Sequence, residues 1–322
     1  MLENKLQKYI IRRLALMVPT LFGLTLLVFT LLRLMPGDIV ALIAGEYGAA
    51  DAETKAAIMK DFQLDEAVPI QYVKWLGRMA RLNMGDSLIS GRSVMEELGG
   101  RLPVTIEMGL LALFFNISIG IPVGIFSAIR QNSAVDYGGR TLAVGLLSAP
   151  NFWIALLLIA MAGRYFHWAV PSTTYTPLWV DPVRNLKMVI VPALILGGAG
   201  SGGIMRYTRT AMLDVLRQDY IRTAWSKGLK ENTIVVRHAL RNALIPVVTV
   251  IGLTIPNLVG GSVIMETVYS IPGVGRYYIT ALNQKDLPVV QGINLMTALV
   301  VVFANLAVDI TYSWLNPRIR YT

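Results

Sequence analysis

Residues 219–246 read DYIRTAWSKGLKENTIVVRHALRNALIP, a basic, polar segment between two long apolar runs. Leu213, Leu216, Tyr220 and Ala224 recur at spacings of three and four, which predicts one apolar helix face running into this segment. Gly228 is placed to end that helix, because a glycine just past a helix takes the left-handed conformation without steric penalty. Lys227, in the last turn, meets the negative end of the helix dipole. Residues 231–243 predict a second helix, and Pro246 stands at the start of the next apolar run. A short helix, a tight glycine turn and a second helix form a stiff protrusion, a shape suited to receiving a partner's movement. The competing reading is a solvated basic loop that only sets topology, and composition and spacing alone leave the two level.

The flanking runs place the chain in a membrane. Of its 322 residues 54% are hydrophobic and 15% charged, with a mean hydropathy of +0.55. Ordinary soluble domains carry about 25% charged residues. Six uncharged runs, at 14–32, 108–129, 141–163, 188–205, 242–265 and 287–308, are each long enough to cross about 30 Å of hydrocarbon as a helix. The fourth is the weakest, because Gly197, Gly198, Gly200, Gly202 and Gly203 crowd its second half. Small residues there favour close helix packing. The first run follows Lys5, Lys8, Arg12 and Arg13, as in a signal peptide. It is too long for a signal core, and Met35-Pro36-Gly37-Asp38 offers no small-residue cleavage site, so it is expected to be retained as a span.

Charge sets the expected orientation. The segment before the first run is basic. Residues 130–140 carry two Arg against one Asp, residues 206–241 carry eight Lys/Arg against three acids, and the tail holds Arg318 and Arg320. With six spans these segments share one side, and the excess of Lys and Arg makes it cytoplasmic, with both termini there. The net charge of +9 follows from this bias and does not call for a nucleic acid partner. Residues 33–103 form the long opposite segment, an external insert with helical signals of its own. Asp51 caps a helix extending to Phe62, Val68 to Leu82 carries Ile70, Val73, Trp75 and Leu76 at helical spacing, and Ser93-Val94-Met95-Glu96 is a capping-box pattern. The expectation is an all-α membrane protein forming one domain over residues 1–322, with an external insert at 33–103 and a cytoplasmic coupling loop at 206–241.

Catalytic chemistry finds little support. No Gly-Lys dipeptide exists, so no phosphate-cradling Walker A loop is present. The chain has no Cys and two histidines, His167 and His238, which stand apart, so neither a metal site nor a thiol nucleophile is expected. Ser201 lies in Gly198-Ala199-Gly200-Ser201-Gly202, which lacks the Gly-x-Ser-Gly of rhomboid-type intramembrane proteases, and helix packing explains it better. Glu107 and Asp309 fall near span ends, where a charge costs less than at the bilayer centre, and read as interfacial. Asn116, Asn151, Asn257, Asn294 and Asn305 interrupt apolar runs. Each singly reads as helix–helix hydrogen bonding. Together, Asn116, Asn151, Asn257 and Asn294 are the candidates to line a translocation path, with Asn257 and Asn294 preferred.

Arg222-Thr223-Ala224-Trp225-Ser226-Lys227-Gly228 resembles the EAA loop of ABC-importer permeases, and DYIRTA, KGL and RHALRNALIPVVT around it are similar to the dipeptide/oligopeptide/nickel branch. Arg12-Arg13-Leu14, Met35-Pro36-Gly37-Asp38, Tyr269-Ser270-Ile271-Pro272-Gly273-Val274-Gly275-Arg276, Pro288-Val289-Val290-Gln291-Gly292 and Asn316-Pro317-Arg318-Ile319-Arg320 extend the resemblance over nearly the whole chain. Two departures stand out: the Glu and first Ala of the loop are Arg222 and Thr223, and the downstream Ile-x-Leu-Pro is His238-Ala239-Leu240-Arg241. A glutamate-based contact to the ATPase is therefore not carried over.

The resemblance implies a permease subunit of the bacterial inner membrane, not an enzyme, working by alternating access. It implies a second homologous permease, two ATPase subunits that bind the ATP and Mg, and a periplasmic or extracellular solute-binding protein. The ATPase-coupling residues would be Asp219, Tyr220, Arg222, Thr223, Ala224, Lys227 and Gly228. The branch handles peptides, glutathione, nickel chelates and some opines or sugars, and short peptides lead because no His or Cys cluster favours a bare metal. The alternative is a self-contained secondary transporter or channel, which usually buries ionisable groups for ion coupling. The span centres here lack them.

Overall fold

Leucine, isoleucine, valine and alanine at helical period dominate the chain, and every regular element among the described residues is a helix. In the computed structural model the described residues are 2–33, 66–167 and 174–315, without the side chains of 2–10, 12–14, 31–33, 256, 257, 259, 261 and 308–315. The helix expected between Asp51 and Phe62, Met35–Asp38, Asp309's side chain and the 316–320 motif lie outside them.

The helices are α1 (Leu2–Arg33), α2 (Val68–Ala80), α3 (Val94–Ile129), α4 (Ala134–Ser148), α5 (Asn151–Phe166), α6 (Pro182–Leu216) and α7 (Asp219–Ser226). A single turn, Glu231–Thr233, then leads through a π-helical stretch, Ile234–Leu240, into α8 (Arg241–Val268), followed by α9 (Val274–Asn283) and α10 (Leu287–Leu315). Among the described residues four helical segments are long and apolar enough to cross a membrane: Val94–Ile129, Pro182–Leu216, Glu231–Ile255 and Leu287–Ala307. The pair α4–α5 adds a fifth if it is one bent span, and the described apolar stretch of α1, Ala15–Thr30, is shorter.

Three expectations need correction. The run at 141–163 is not one straight helix, since α4 and α5 are bent by 94°. Ala149 and Pro150 are both extended there, as the residue before a proline is pushed out of the helical region. The helix that starts in the insert is not a separate one either. α3 runs unbroken through Pro103 for 36 residues, about 54 Å at roughly 1.5 Å per residue, starting where the Ser93–Glu96 pattern places it. Third, the face of Leu213, Leu216, Tyr220 and Ala224 does not belong to one helix. α6 carries the first two, Gln218 is extended, and α7 begins afresh at Asp219.

The chain divides into two compact units. The first comprises Met1–Pro103 and Tyr277–Val302. Here α2 turns Tyr72, Trp75 and Met79 inward, while Ile70 and Val73 are exposed. Phe22 and Phe29 of α1 meet the Tyr72 ring edge-on, and Thr25 shares a 2.9 Å hydrogen bond with the Tyr72 hydroxyl. The buried carboxylate of Asp286 accepts from Ser87 Oγ at 2.5 Å and Leu88 N at 3.2 Å, pinning the 84–93 loop. Trp75 Nε1 donates to Gln291 Oε1 at 3.1 Å.

The second unit comprises Val104–Arg276 and Phe303–Thr322. Its core gathers Met108 and Ala112 of α3, Ala155 of α5, Val189, Ala193 and Leu196 of α6, and Leu258 and Met265 of α8. The run expected to be the weakest span proves the most enclosed, with about two-thirds of its apolar window buried (67%). Its glycines explain this. A β-carbon at Gly197 would stand 2.2 Å from the Ala112 carbonyl oxygen, and one at Gly202 would stand 2.5 Å from that of Ala143. Only hydrogen fits where α3 and α4 approach α6 this closely.

Candidate functional site: the α7 elbow and its seat

α7 is amphipathic on a small scale. Ile221 and Ala224 are buried, whereas Tyr220, Arg222, Thr223 and Trp225 are exposed. The two buried residues sit in an apolar seat made by Ala128 of α3, Met212 of α6, Ile234, Val235 and Ala239 of the π-helical stretch, and Ala243 of α8. α7 therefore rests on parts of three helices while presenting aromatic and polar groups outward. The end of α7 is closed at Gly228, where φ is +73°. Gly228 N donates to the Trp225 carbonyl at 2.9 Å, and Leu229 N to the Ala224 carbonyl at 3.4 Å. These two bonds make a Schellman motif, which satisfies carbonyls that a helix end otherwise leaves open. Tyr220 is tied as well, since Asn242 Nδ2 donates to its hydroxyl oxygen at 2.8 Å.

Of the coupling residues named from sequence, Asp219, Tyr220, Arg222, Thr223, Lys227 and Gly228 lie on the exposed side and Ala224 on the seat side. Asp219 and Arg222 approach to 3.6 Å but are both largely exposed, so their attraction is screened. The second helix of the protrusion is not separate, because the chain winds from Glu231 through a π-helical stretch directly into α8. Such stretches accommodate an extra residue in a helix, and often mark functional sites.

The asparagines named from sequence differ in their surroundings. Asn116 is fully buried between α3 and α6, where a β-carbon at Gly200 would stand 2.2 Å from its Nδ2. Neither its Nδ2 nor its Oδ1 has a hydrogen-bond partner. Asn151 and Asn294 are half-buried, Asn305 is exposed, and the side chain of Asn257 lies outside the described residues. His167 ends α5 in a left-handed conformation, and Ser201 Oγ donates to the Gly198 carbonyl at 2.6 Å, an intrahelical bond.

Besides the Asp286 carboxylate described above, sequence reasoning missed three further buried or half-buried polar knots among the described residues. Asp136 of α4 takes both Nε and Nη2 of Arg209 of α6 at 2.7 Å. Glu266, at the end of α8, accepts from Thr105 Oγ1 at 2.7 Å and Arg276 N at 2.9 Å. Glu107 Oε2 accepts from the Tyr175 hydroxyl at 2.7 Å and Asn185 Nδ2 at 3.0 Å. Tyr175 lies in the loop before α6, and its burial, reinforced by the Glu107 hydrogen bond, pushes its phenol up to about 12. The one available signal was a charged residue at the margin of an apolar run, which does not name its partner.

Residues 120–321 match the family described as binding-protein-dependent transport system inner membrane component, and residues 6–109 match its N-terminal companion. The chain belongs to this family. It is 39% identical to the di/tripeptide transport system permease protein of Pseudomonas aeruginosa, over 97% of this chain and 98% of that protein. It is 39% identical to the oligopeptide transport system permease protein of Bacillus subtilis, over 97% and 99%. It is 38% identical to the dipeptide transport system permease protein of Escherichia coli K12, over 98% and 99%. Among solved structures, a chain of the MetNI methionine ABC transporter matches with a TM-score of 0.55, covering 69% of this chain and 97% of that one. At 19% identity that likeness concerns the fold. The resemblance read from 222–228 and its surroundings is thus upheld. The permease is a multi-pass membrane protein, and its family membership supports a permease subunit over a self-contained secondary transporter or channel.

Proposed function

We propose that this permease is one half of the membrane path of an ATP-driven importer of short peptides, with α7 as the element that receives the stroke of an ATPase. The observation that carries this reading is the construction of α7: an exposed aromatic and polar face on a helix that is clamped at Gly228 and seated on α3, α6 and α8. A push on that face meets a helix closed at its Gly228 end and backed by the apolar seat. In this reading α1 supplies the sixth span, both termini and α7 face the cytoplasm, and the membrane is the bacterial inner membrane, as the distribution of Lys and Arg favours.

A second homologous permease completes the path, two ATPases bind ATP and Mg, and a binding protein delivers cargo from outside. ATP binding draws the ATPases together and tilts the helices around α7, opening the path outward, and hydrolysis resets it. The peptide assignment rests on relatives named for di-, tri- and oligopeptides that align with nearly the full chain. The site itself performs no bond chemistry. Its work is mechanical, and the chemical free energy enters through the partner subunits.

The test is co-expression of the permease with its neighbouring transporter genes, mild solubilisation and affinity capture, followed by reconstitution. Retention of an ATPase, and uptake of a labelled dipeptide that requires ATP and the binding protein, are expected. Capture of the folded permease without any ATPase would remove the reading.

A further inference from the structure

We infer that Asp136 and Arg209 are positioning residues that lock α4 to the lower half of α6, so that α3, α4, α6 and α7 move as one body during the transport cycle. The inference deepens the coupling role proposed for α7 and rests on it.

The knot is complete and enclosed. The Asp136 side chain has no solvent exposure and that of Arg209 retains 18%. Asp136 Oδ1 accepts from Ser127 Oγ of α3 at 2.5 Å and from Arg209 Nε at 2.7 Å. Its Oδ2 accepts from Asn132 N at 3.0 Å and from Arg209 Nη2 at 2.7 Å. One carboxylate thereby joins α3, the α3–α4 turn, α4 and α6. The two parallel bonds to the guanidinium fix orientation as well as distance, which a lysine could not do.

Such a pair is a poor choice for stability alone, because apolar residues of similar volume commonly serve a buried interface as well or better. What it adds is a single permitted register. The surroundings hold that register from both sides. A β-carbon at Gly124 of α3 would stand 2.7 Å from the Met205 carbonyl oxygen of α6, so the backbones touch one turn from the knot. Met212, one turn after Arg209, and Ala128, beside Ser127, are members of the apolar seat beneath α7. Only Arg217 and Gln218 separate the end of α6 from the start of α7. Force entering α7 therefore reaches α6 and the seat first. The bidentate pair then carries it to α4, adding a fixed orientation to the close approach of Gly202 to the Ala143 backbone.

The permease has no cysteine, so introduced thiols in it are unique. Tyr137→Cys on the exposed side of α4 and Arg217→Cys in the turn before α7 place spin labels on the two parts. The assembled transporter, with cysteine-free partner subunits in lipid nanodiscs, is measured by pulsed electron resonance without nucleotide and with ATP plus vanadate. The expected result is one narrow distance distribution, unchanged between the two states. In Asp136→Asn the distribution should broaden and acquire a nucleotide-dependent shift while ATP hydrolysis persists. Arg209→Lys, which keeps the charge and loses the fork, should fall between. A merely structural role would lower thermal stability in these variants and leave the distance independent of nucleotide.

A nucleotide-dependent change in the otherwise unaltered labelled chain would overturn the inference, and so would wild-type behaviour in both variants. The first arm needs no variant of the knot, so misfolding of Asp136→Asn does not rescue the idea. Failure of the ATPases to remain with the labelled complex would instead overturn the coupling role itself, and pull-down of the same samples separates the two failures.

Discussion

Gly197 of α6 lies against the backbone of Ala112 of α3, so close that a β-carbon on it would stand 2.2 Å from the Ala112 carbonyl oxygen. Its neighbour Gly198 faces open space, with nothing within 4 Å of the same added atom. The two positions should respond oppositely. Gly197→Val forces the helices apart, and overpacking of this kind costs about 1–3 kcal/mol or more. Gly198→Ala should be neutral, or stabilising by about 0.5–1 kcal/mol through helix propensity. Thermal unfolding of the purified permease in detergent compares them, and equal melting temperatures for the two variants would contradict the packing.

Gly228 presents a different case. A β-carbon there meets nothing within 4 Å, yet its φ of +73° is one that side chains with a β-carbon avoid. The penalty lies in the backbone, roughly 1–2 kcal/mol for an ordinary residue, and larger for a β-branched one. Gly228→Val should loosen the end of α7 and lower transport per ATP hydrolysed, with membrane insertion intact. Gly228→Asn, which tolerates the left-handed region, should retain most coupling. Reconstituted uptake and phosphate release measured in parallel read the ratio, and wild-type coupling in Gly228→Val would end the lever account.

Glu266 and Thr105 should be energetically coupled. Thr105 Oγ1 donates to Glu266 Oε1 and itself accepts from Val274 N at 2.9 Å, while Arg276 N donates to Oε2. Removing one partner strands buried groups, at about 1–3 kcal/mol each. Thr105→Ala and Glu266→Ala should each lower the melting temperature, and the double variant should cost less than their sum. Additive losses would show that the knot does not act as a unit.

Asn116 offers the cleanest trial of the path idea. Both polar atoms of its amide are buried without partners. An unsatisfied buried group costs about 1–3 kcal/mol, and an apolar residue of similar shape avoids that cost. Asn116→Leu should hold or raise the melting temperature. Uptake at the wild-type rate would then exclude Asn116 from the path, whereas slower uptake from a stable variant would place solute against it.

Much of the architecture was readable in one dimension. The long apolar runs foretold where helices lie, because burying an unpaired peptide group in lipid is costly and a helix satisfies its own backbone. The start of α3 at Val94 and the stop at Gly228 were equally legible, since caps and left-handed turns depend on residues within a few positions of each other. The break at Pro150 was less so. A proline at a span margin is common, and whether the chain bends by 94° there depends on what the two halves pack against. The small-residue run of α6 was read both as the weakest span and as a place of close helix packing, but without the helices it meets. A glycine contributes through what it lets approach, and that neighbour is elsewhere in the chain.

The sequence by itself determined that this is a helical membrane protein with a glycine-stopped elbow, because helical period, length of apolar runs and turn chemistry are local properties; that it is a permease rested on the resemblance of its motifs to a family. Tertiary structure alone decided that Asp136 meets Arg209 across 73 positions and Glu266 meets Thr105 across 161. It also decided that Ala224 of the elbow faces inward while Tyr220 and Trp225 face out. Pairings of this kind depend on which helix faces come together, and that is settled by close packing over the whole bundle rather than by any stretch of residues read in order.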